Sequence, residues 1–171
     1  MSDPIAAELP PVEDFAPREP PAGCDDPFNV RPGVRAFRSW VLTRFGGTDL
    51  GVGRECNVGA ASHHHEGKAW DWGPPAGPMR PTLAATLLLT LAQNQWEAFR
   101  RFGIQYIIWD RKILKSYTLG SQQPLTWYPY SGESAHEDHV HVSFSKDGRD
   151  GRLSGEQWAL LDLMNHPPER T

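Results

Sequence analysis

The stretch His136-Glu137-Asp138-His139-Val140-His141-Val142-Ser143-Phe144 decides how the chain is read. In a β-strand successive side chains point to opposite faces. His139 and His141 therefore share one face, while Val140, Val142 and Phe144 share the other. A strand that is apolar on one side and carries histidines on the other belongs both to a core and to a site. It predicts a sheet whose apolar face is covered and whose opposite face does chemistry.

A second histidine cluster lies upstream, at His63-His64-His65, with Asp71 seven residues after His64. Around Asp71 the strand alternation places Ala69 and Asp71 on one face and Trp70 and Trp72 on the other. Two imidazoles and one carboxylate drawn from separate segments suit Zn²⁺ and leave a fourth position for water. Taken singly, a run of three histidines is often a solvated loop, and a lone His-x-His carries little meaning. The pairing of the two clusters with a carboxylate is what points to a metal.

Working outward, Pro32 opens a helix that stops near Gly46–Gly47, with Val34, Phe37, Trp40 and Val41 on one face. A longer helix is predicted from Pro81 to about Phe102, just before Gly103. Its apolar stripe is Leu83, Leu87, Leu88, Leu91, Ala92, Trp96 and Phe99. A last helix starts at Ser154, where Ser-x-x-Gln resembles a capping box, and carries Trp158, Leu161 and Leu163 or Met164. Ile104–Trp109 and Ile113–Tyr117 read as a hairpin turning at Asp110-Arg111-Lys112, with Ala69–Trp72 and His139–Phe144 as further strands. Residues 116–135 read mostly as loop. The fold class is α+β: a small antiparallel sheet carrying the zinc site, packed against helices on one side.

The first 30 residues hold seven prolines between Met1 and Asn29 and read as an extended arm. The compact domain is placed at 31–166, followed by a short tail at 167–171. A formal charge of −4 without a basic run excludes a nucleic-acid footprint, and nothing approaches a membrane span. The N-terminus lacks the basic-then-apolar start of a secretory signal, so synthesis in a cytoplasm is expected. Cys24 and Cys56 have no cysteine neighbour at metal-ligand spacing. They are either two buried thiols or a disulfide tying the arm to the loop before the histidines. Such a bond is worth roughly 3–4 kcal/mol.

Ser62-His63-His64-His65-Glu66-Gly67-Lys68-Ala69-Trp70-Asp71 matches the pattern S-x-H-x-x-G-x-A-x-D in full, and His139-Val140-His141 supplies a later H-x-H. Together they resemble the zinc D-Ala-D-Ala carboxypeptidases and L-Ala-D-Glu endopeptidases of bacteria and phages, relatives of lysostaphin-type and hedgehog-type zinc domains. The text from Gly47 through Arg54-x-Cys56 to Trp109 is similar to an actinobacterial branch. The resemblance spans about Cys24 to Ser145 and implies a hedgehog/D-Ala-D-Ala-peptidase-like fold. It also implies the Cys24–Cys56 disulfide, since cysteines are similarly placed in that branch.

Carried over to this chain, the resemblance implies His64, Asp71 and His141 as zinc ligands, with His63 and His65 as exposed neighbours or weak substrate contacts. It implies His139 as a catalytic residue. Where many members carry a glutamate as general base this chain has Asp138, one methylene shorter, and His136 matches a histidine of the branch that lacks the glutamate. The base is therefore His139, His136 or Asp138, in that order. Arg54 is either the holder of a stem-peptide carboxylate or a surface arginine. Ser62 either contacts substrate or caps its loop, and Trp127 and Tyr128 either wall the cleft or simply pack.

The function implied is a monomeric zinc peptidase that cuts peptidoglycan stem peptides or cross-links. It would be a phage endolysin released by a holin, a particle-borne lysin or a cell-wall hydrolase. Two other readings are a non-catalytic, zinc-bearing wall-binding module and a virion structural component assembled through the acidic, Pro-rich arm.

Overall fold

The computed structural model describes residues 8–167. The Pro-rich arm expected at 1–30 and the tail expected at 167–171 each lie partly outside the described residues. Helix α1 (Pro32–Phe45) starts on its proline and ends at Gly46, whose φ of +67° suits glycine. Its Val34, Phe37, Trp40 and Val41 are all buried.

Among the described residues six strands follow in chain order: β1 (Thr48–Gly51), β2 (Ala69–Gly73), β3 (Ile104–Trp109), β4 (Lys112–Lys115), β5 (Trp127–Pro129) and β6 (Val140–Phe144). They form one antiparallel sheet in the order β1-β2-β6-β3-β4-β5. The helices α2 (Arg80–Arg101), α3 (Lys146–Asp150) and α4 (Gly155–Asn165) complete the elements. The architecture is α+β. One core joins residues of α1, α2 and α4 to Trp70, Trp72, Ile104, Ile107, Leu114, Val140, Val142 and Phe144 of the sheet.

The sheet resolves a puzzle in the Ile104–Trp109 run, which is apolar at too many positions for simple alternation. The register against β6 slips between Ile104 and Tyr106. This bulge at Gln105 lets Ile104 and Ile107 both join the core while Tyr106 and Ile108 face the other side. The hairpin turn between β3 and β4 is only Asp110–Arg111, both at positive φ, and Lys112 already pairs with Trp109. β1 and β5 were not expected, because glycines and a proline hide them in loop-like sequence.

The long helix departs from expectation. Gln93 is extended, and Asn94, Gln95 and Trp96 are left-handed, so α2 is broken in its last third. The buried stripe explains the break. Counting three or four residues on from the buried Leu91 of a continuous helix would bring Asn94 and Gln95 to the core. Burying two amides without partners is costly. The kink leaves both exposed and still buries Ala98 and Phe99. At α4 the capping box does not form. The Ser154 N–H and hydroxyl both bind the Glu13 carboxylate, and Met164 points outward, 77% exposed.

From residue 8 to 22 the arm has neither helix nor strand, as its prolines favour, and it turns at Asp26–Asn29, but it is packed rather than free. Gln105, fully buried, donates from Nε2 to the Pro17 carbonyl at 2.6 Å and accepts the Glu19 N–H at Oε1 at 2.9 Å. Arg101 donates to the Pro10 carbonyl, Arg100 to that of Glu13, and Arg149 to the Asp25 carboxylate. The Cys24–Cys56 disulfide is formed, with Cα atoms 5.7 Å apart. It closes the arm onto the loop between β1 and β2.

Candidate metal centre

Three adjacent inner strands, β2, β6 and β3, build the floor of the site. β2 and β6 pair in a register that sets Asp71 directly opposite His141, and β3 sets Ile108 opposite His141 on the other side. Directly opposed residues on one sheet face have Cβ atoms about 5 Å apart. Sheet register alone thus brings together the carboxylate and the imidazole, which are far apart in sequence.

His64 arrives from above on a short 3₁₀ turn, His63–Glu66. The Ser62 hydroxyl accepts the His64 N–H at 3.3 Å, and Gly67 ends the turn at a left-handed φ of +60°. A turn this tight sends its three histidines in three directions. His64 enters the cleft. The His63 ring stacks on Tyr106 and its Nε2 donates to the Glu19 carbonyl at 2.8 Å. His65 Nε2 donates to the Val58 carbonyl at 2.9 Å. The expectation that His63 and His65 are exposed is therefore corrected: they are 1% and 5% exposed and hold the arm and the preceding loop. Burial pushes the His63 imidazole down to about 4, so it is neutral at pH 7.

His64 Nε2, His141 Nδ1 and the Asp71 carboxylate converge. The separations are 3.1 Å between the two nitrogens, 3.3 Å from His64 Nε2 to Asp71 Oδ2, and 2.9 Å from His141 Nδ1 to Asp71 Oδ1. Metal–nitrogen and metal–oxygen bonds of about 2.0–2.2 Å at tetrahedral angles put ligand atoms roughly 3.3–3.6 Å apart, so this triangle is slightly tighter than one tetrahedral face and needs only a small opening to hold an ion.

The outer contacts fit as well. His64 Nδ1 lies 2.6 Å from the Val52 carbonyl, which only accepts, so the ring proton sits there and the Nε2 lone pair faces the carboxylate. Two acceptors facing each other call for a cation. His141 Nε2 lies 2.8 Å from the Ser143 hydroxyl, whose oxygen can accept a hydrogen bond from Nε2–H and so leave Nδ1 as ligand. Burial pushes the His141 imidazole down to about 4. For Asp71, burial acts upward, but the closeness of His141 and His64 outweighs it and holds the carboxyl far below the usual range. A neutral imidazole at His141 and an ionised carboxylate at Asp71 are the forms a divalent ion requires.

His139 stands at the edge of this group. Its Nδ1 donates to Asp138 Oδ1 at 2.7 Å, leaving Nε2 4.0 Å from Asp71 Oδ2. Asp138 is itself 73% exposed at its side chain and bound to His139, and that hydrogen bond holds its carboxyl below the usual range. The His136 ring lies 4.7 Å from that of His139 and 5.5 Å from that of His141. Its Nδ1 donates to the Ser134 carbonyl at 2.7 Å, and burial lowers its pKa. The hairpin turn positions this loop, with Asp110 N–H donating to the His136 carbonyl and Arg111 N–H to that of Ala135.

The donors and His139 line a cleft of about 370 Å³ that Arg54, Ala60, Ser62, Tyr106, Ile108, Tyr130, Glu133 and His136 also line. Arg54 and Ser62 are thus brought to the site, and Ser62 caps the turn besides. Trp127 and Tyr128 are not among its walls. Trp127 sits by Leu88 and Trp109 across the sheet, and the Tyr128 hydroxyl accepts the Gln123 N–H. Tyr130, two residues on, is the aromatic wall. Ser143 is a site residue that the sequence reading missed, though strand alternation places it on the same face as His141, and the bulge at Gln105 hid Tyr106. The Val52 carbonyl, a backbone group, left no mark in the sequence.

No curated protein and no solved structure matches the chain. A family model does match, over residues 27–141, about two thirds of the chain, and its span takes in His64 and Asp71 and ends on His141. The chain belongs to the family described as VldE, C-terminal domain.

Proposed function

We propose that the protein is a zinc-dependent peptidase acting on the stem peptides or cross-links of bacterial peptidoglycan, with the hedgehog/D-Ala-D-Ala-peptidase-like fold that its sequence resembles. The observation that carries the reading is the converging set of His64 Nε2, His141 Nδ1 and Asp71, with a third imidazole, His139, aimed at it from an open cleft.

A zinc ion held by His64, Asp71 and His141 would supply a Lewis acid for the scissile carbonyl and acidify a water at neutral pH. The rest falls to the chain. His139 takes the water's proton at Nε2 and returns it to the leaving amine. Asp138 keeps His139 in the tautomer that frees Nε2, so it is a positioning residue rather than the base. His136 packs beside His139, and burial lowers its pKa. Arg54, in the cleft wall, binds a carboxylate of the substrate.

Digestion of purified bacterial cell walls, followed by mass spectrometry of the released muropeptides, tests the reading. New free amino and carboxyl ends at one stem-peptide bond, lost on chelation and restored by zinc, are the expected result. Zinc-loaded protein that binds walls and releases nothing would leave a binding module in its place.

A further inference from the structure

Arg54 and Glu133 reach the cleft from different loops and meet at Gly59. A methyl group on Gly59 would stand 3.2 Å from Arg54 Nη1 and 3.5 Å from Glu133 Oε2, so the two charges are no farther apart than those distances laid end to end. They are nevertheless not in ion-pair contact, and among the described residues neither charged group has a hydrogen-bonding partner. Gly59 itself has a φ of +72°, a conformation that keeps this position free of a side chain. Tyr130, in the same wall, is close enough to feel both charges.

We propose that Arg54 and Glu133 together bind the zwitterionic head group of an α-amino acid carried at the end of a side chain of the peptide substrate. The inference rests on the peptidase reading and narrows its substrate class. A lone carboxylate brought to Arg54 also approaches Glu133 and is repelled, and a lone ammonium is repelled by Arg54. A group carrying both charges on one carbon satisfies both residues at once. Its ammonium nitrogen and carboxylate oxygens lie about 2.7 Å apart, a span that fits between two such neighbours with hydrogen bonds of ordinary length. The two chain ends of a peptide do not provide this, because they lie on opposite sides of the bond to be cut. A residue built from a diamino dicarboxylic acid does, when its distal amino and carboxyl groups are free.

The test uses three tripeptides of one backbone whose third side chain ends in a free α-amino acid head group, the same group N-acetylated, or a plain ammonium as in lysine. Calorimetry is run on the zinc-loaded His139→Ala chain, to prevent turnover, with and without Glu133→Gln. The free head group should bind at least about tenfold more tightly than either comparator, and Glu133→Gln should bring the free and acetylated peptides to within about threefold. An undiminished preference in Glu133→Gln, or no preference to begin with, overturns the proposal. Cutting by the wild-type chain is scored on the same peptides. Cutting without regard to the head group would leave the peptidase and remove this site. A Glu133-dependent preference without any cutting would remove the peptidase and leave the site.

Discussion

Asp71 and His141 face each other across the β2–β6 pair, with Asp71 Oδ1 2.9 Å from His141 Nδ1, and His64 Nε2 closes the triangle from a separate turn. The purified chain should carry about one zinc per molecule. His64→Ala, Asp71→Ala and His141→Ala should each abolish loading by metal analysis. Ser143→Ala removes the outer partner of His141 and should weaken zinc by about 10- to 100-fold in a chelator competition. Full loading of any of the three alanine variants would sink the ligand set. Since protons compete for the same atoms, affinity should fall as pH is lowered.

His139→Ala should keep its zinc and lose turnover by roughly 10²-fold or more. Asp138→Asn leaves the imidazole in place but disturbs its tautomer. It should retain zinc, lose less turnover than His139→Ala, and lower kcat more than it raises KM. If Asp138→Asn costs as much as His139→Ala while Asp138→Glu restores nothing, Asp138 is acting on the substrate directly.

The sequence made the site legible where it depended on strand alternation. Asp71, His141 and the apolar faces of β2 and β6 follow from a period of two, and register did the rest. What stayed hidden depended on backbone groups or phase breaks. The Val52 carbonyl has no side-chain signature, and the bulge at Gln105 shifts Tyr106 onto the site face without a glycine to announce it. The Asn94–Trp96 break shows the same limit, since periodicity described two helical segments correctly and missed that their phases differ. The arm was read as extended because of its prolines. Its anchorage lies in carbonyl and carboxylate contacts made 44 to 141 residues away in sequence, which no local pattern encodes.

The disulfide and the metal are linked through one loop. Cys56 lies in the segment that carries both the Val52 carbonyl holding His64 and the Val58 carbonyl holding His65. The Cys24→Ser/Cys56→Ser double variant should lose about 3–4 kcal/mol of stability in denaturant titration. It should also bind zinc more weakly, because His64 loses its fixed orientation. An unchanged zinc affinity would show that the loop holds its shape without the bond.

The arm should loosen in acid. The Arg149 hydrogen bond holds the Asp25 carboxyl below its ordinary value. A depressed carboxyl stabilises the fold above its unfolded pKa of about 3.9, and that contribution disappears as pH falls through the lower, folded value. The stability gap between wild type and Asp25→Asn should therefore be present at pH 6 and shrink below about pH 4. Because Asp25 is half exposed, the gap is small, and a gap that widened in acid would contradict the assignment.

Gln105 makes the sharpest test of the arm. Its amide is fully buried at the bulge and engages the chain at both ends, donating to the Pro17 carbonyl and accepting from the Glu19 N–H. Gln105→Ala removes the side-chain partner of both backbone groups, which lie on the partly exposed arm, and opens a void where the buried amide sat. A cost of about 1–2 kcal/mol is expected from the lost hydrogen bonds and the lost packing. The location of the damage separates this from a general weakening of the sheet. Amide hydrogen exchange should accelerate at Glu19, while the amides of β3 and β6 keep the order of protection they have in the wild type. His63, whose Nε2 donates to the Glu19 carbonyl, ties the same segment to the turn that carries His64. Release of the arm should therefore lower zinc affinity modestly. If exchange rises equally across β3 and the arm, Gln105 is a core residue of the sheet and the clasp lies elsewhere.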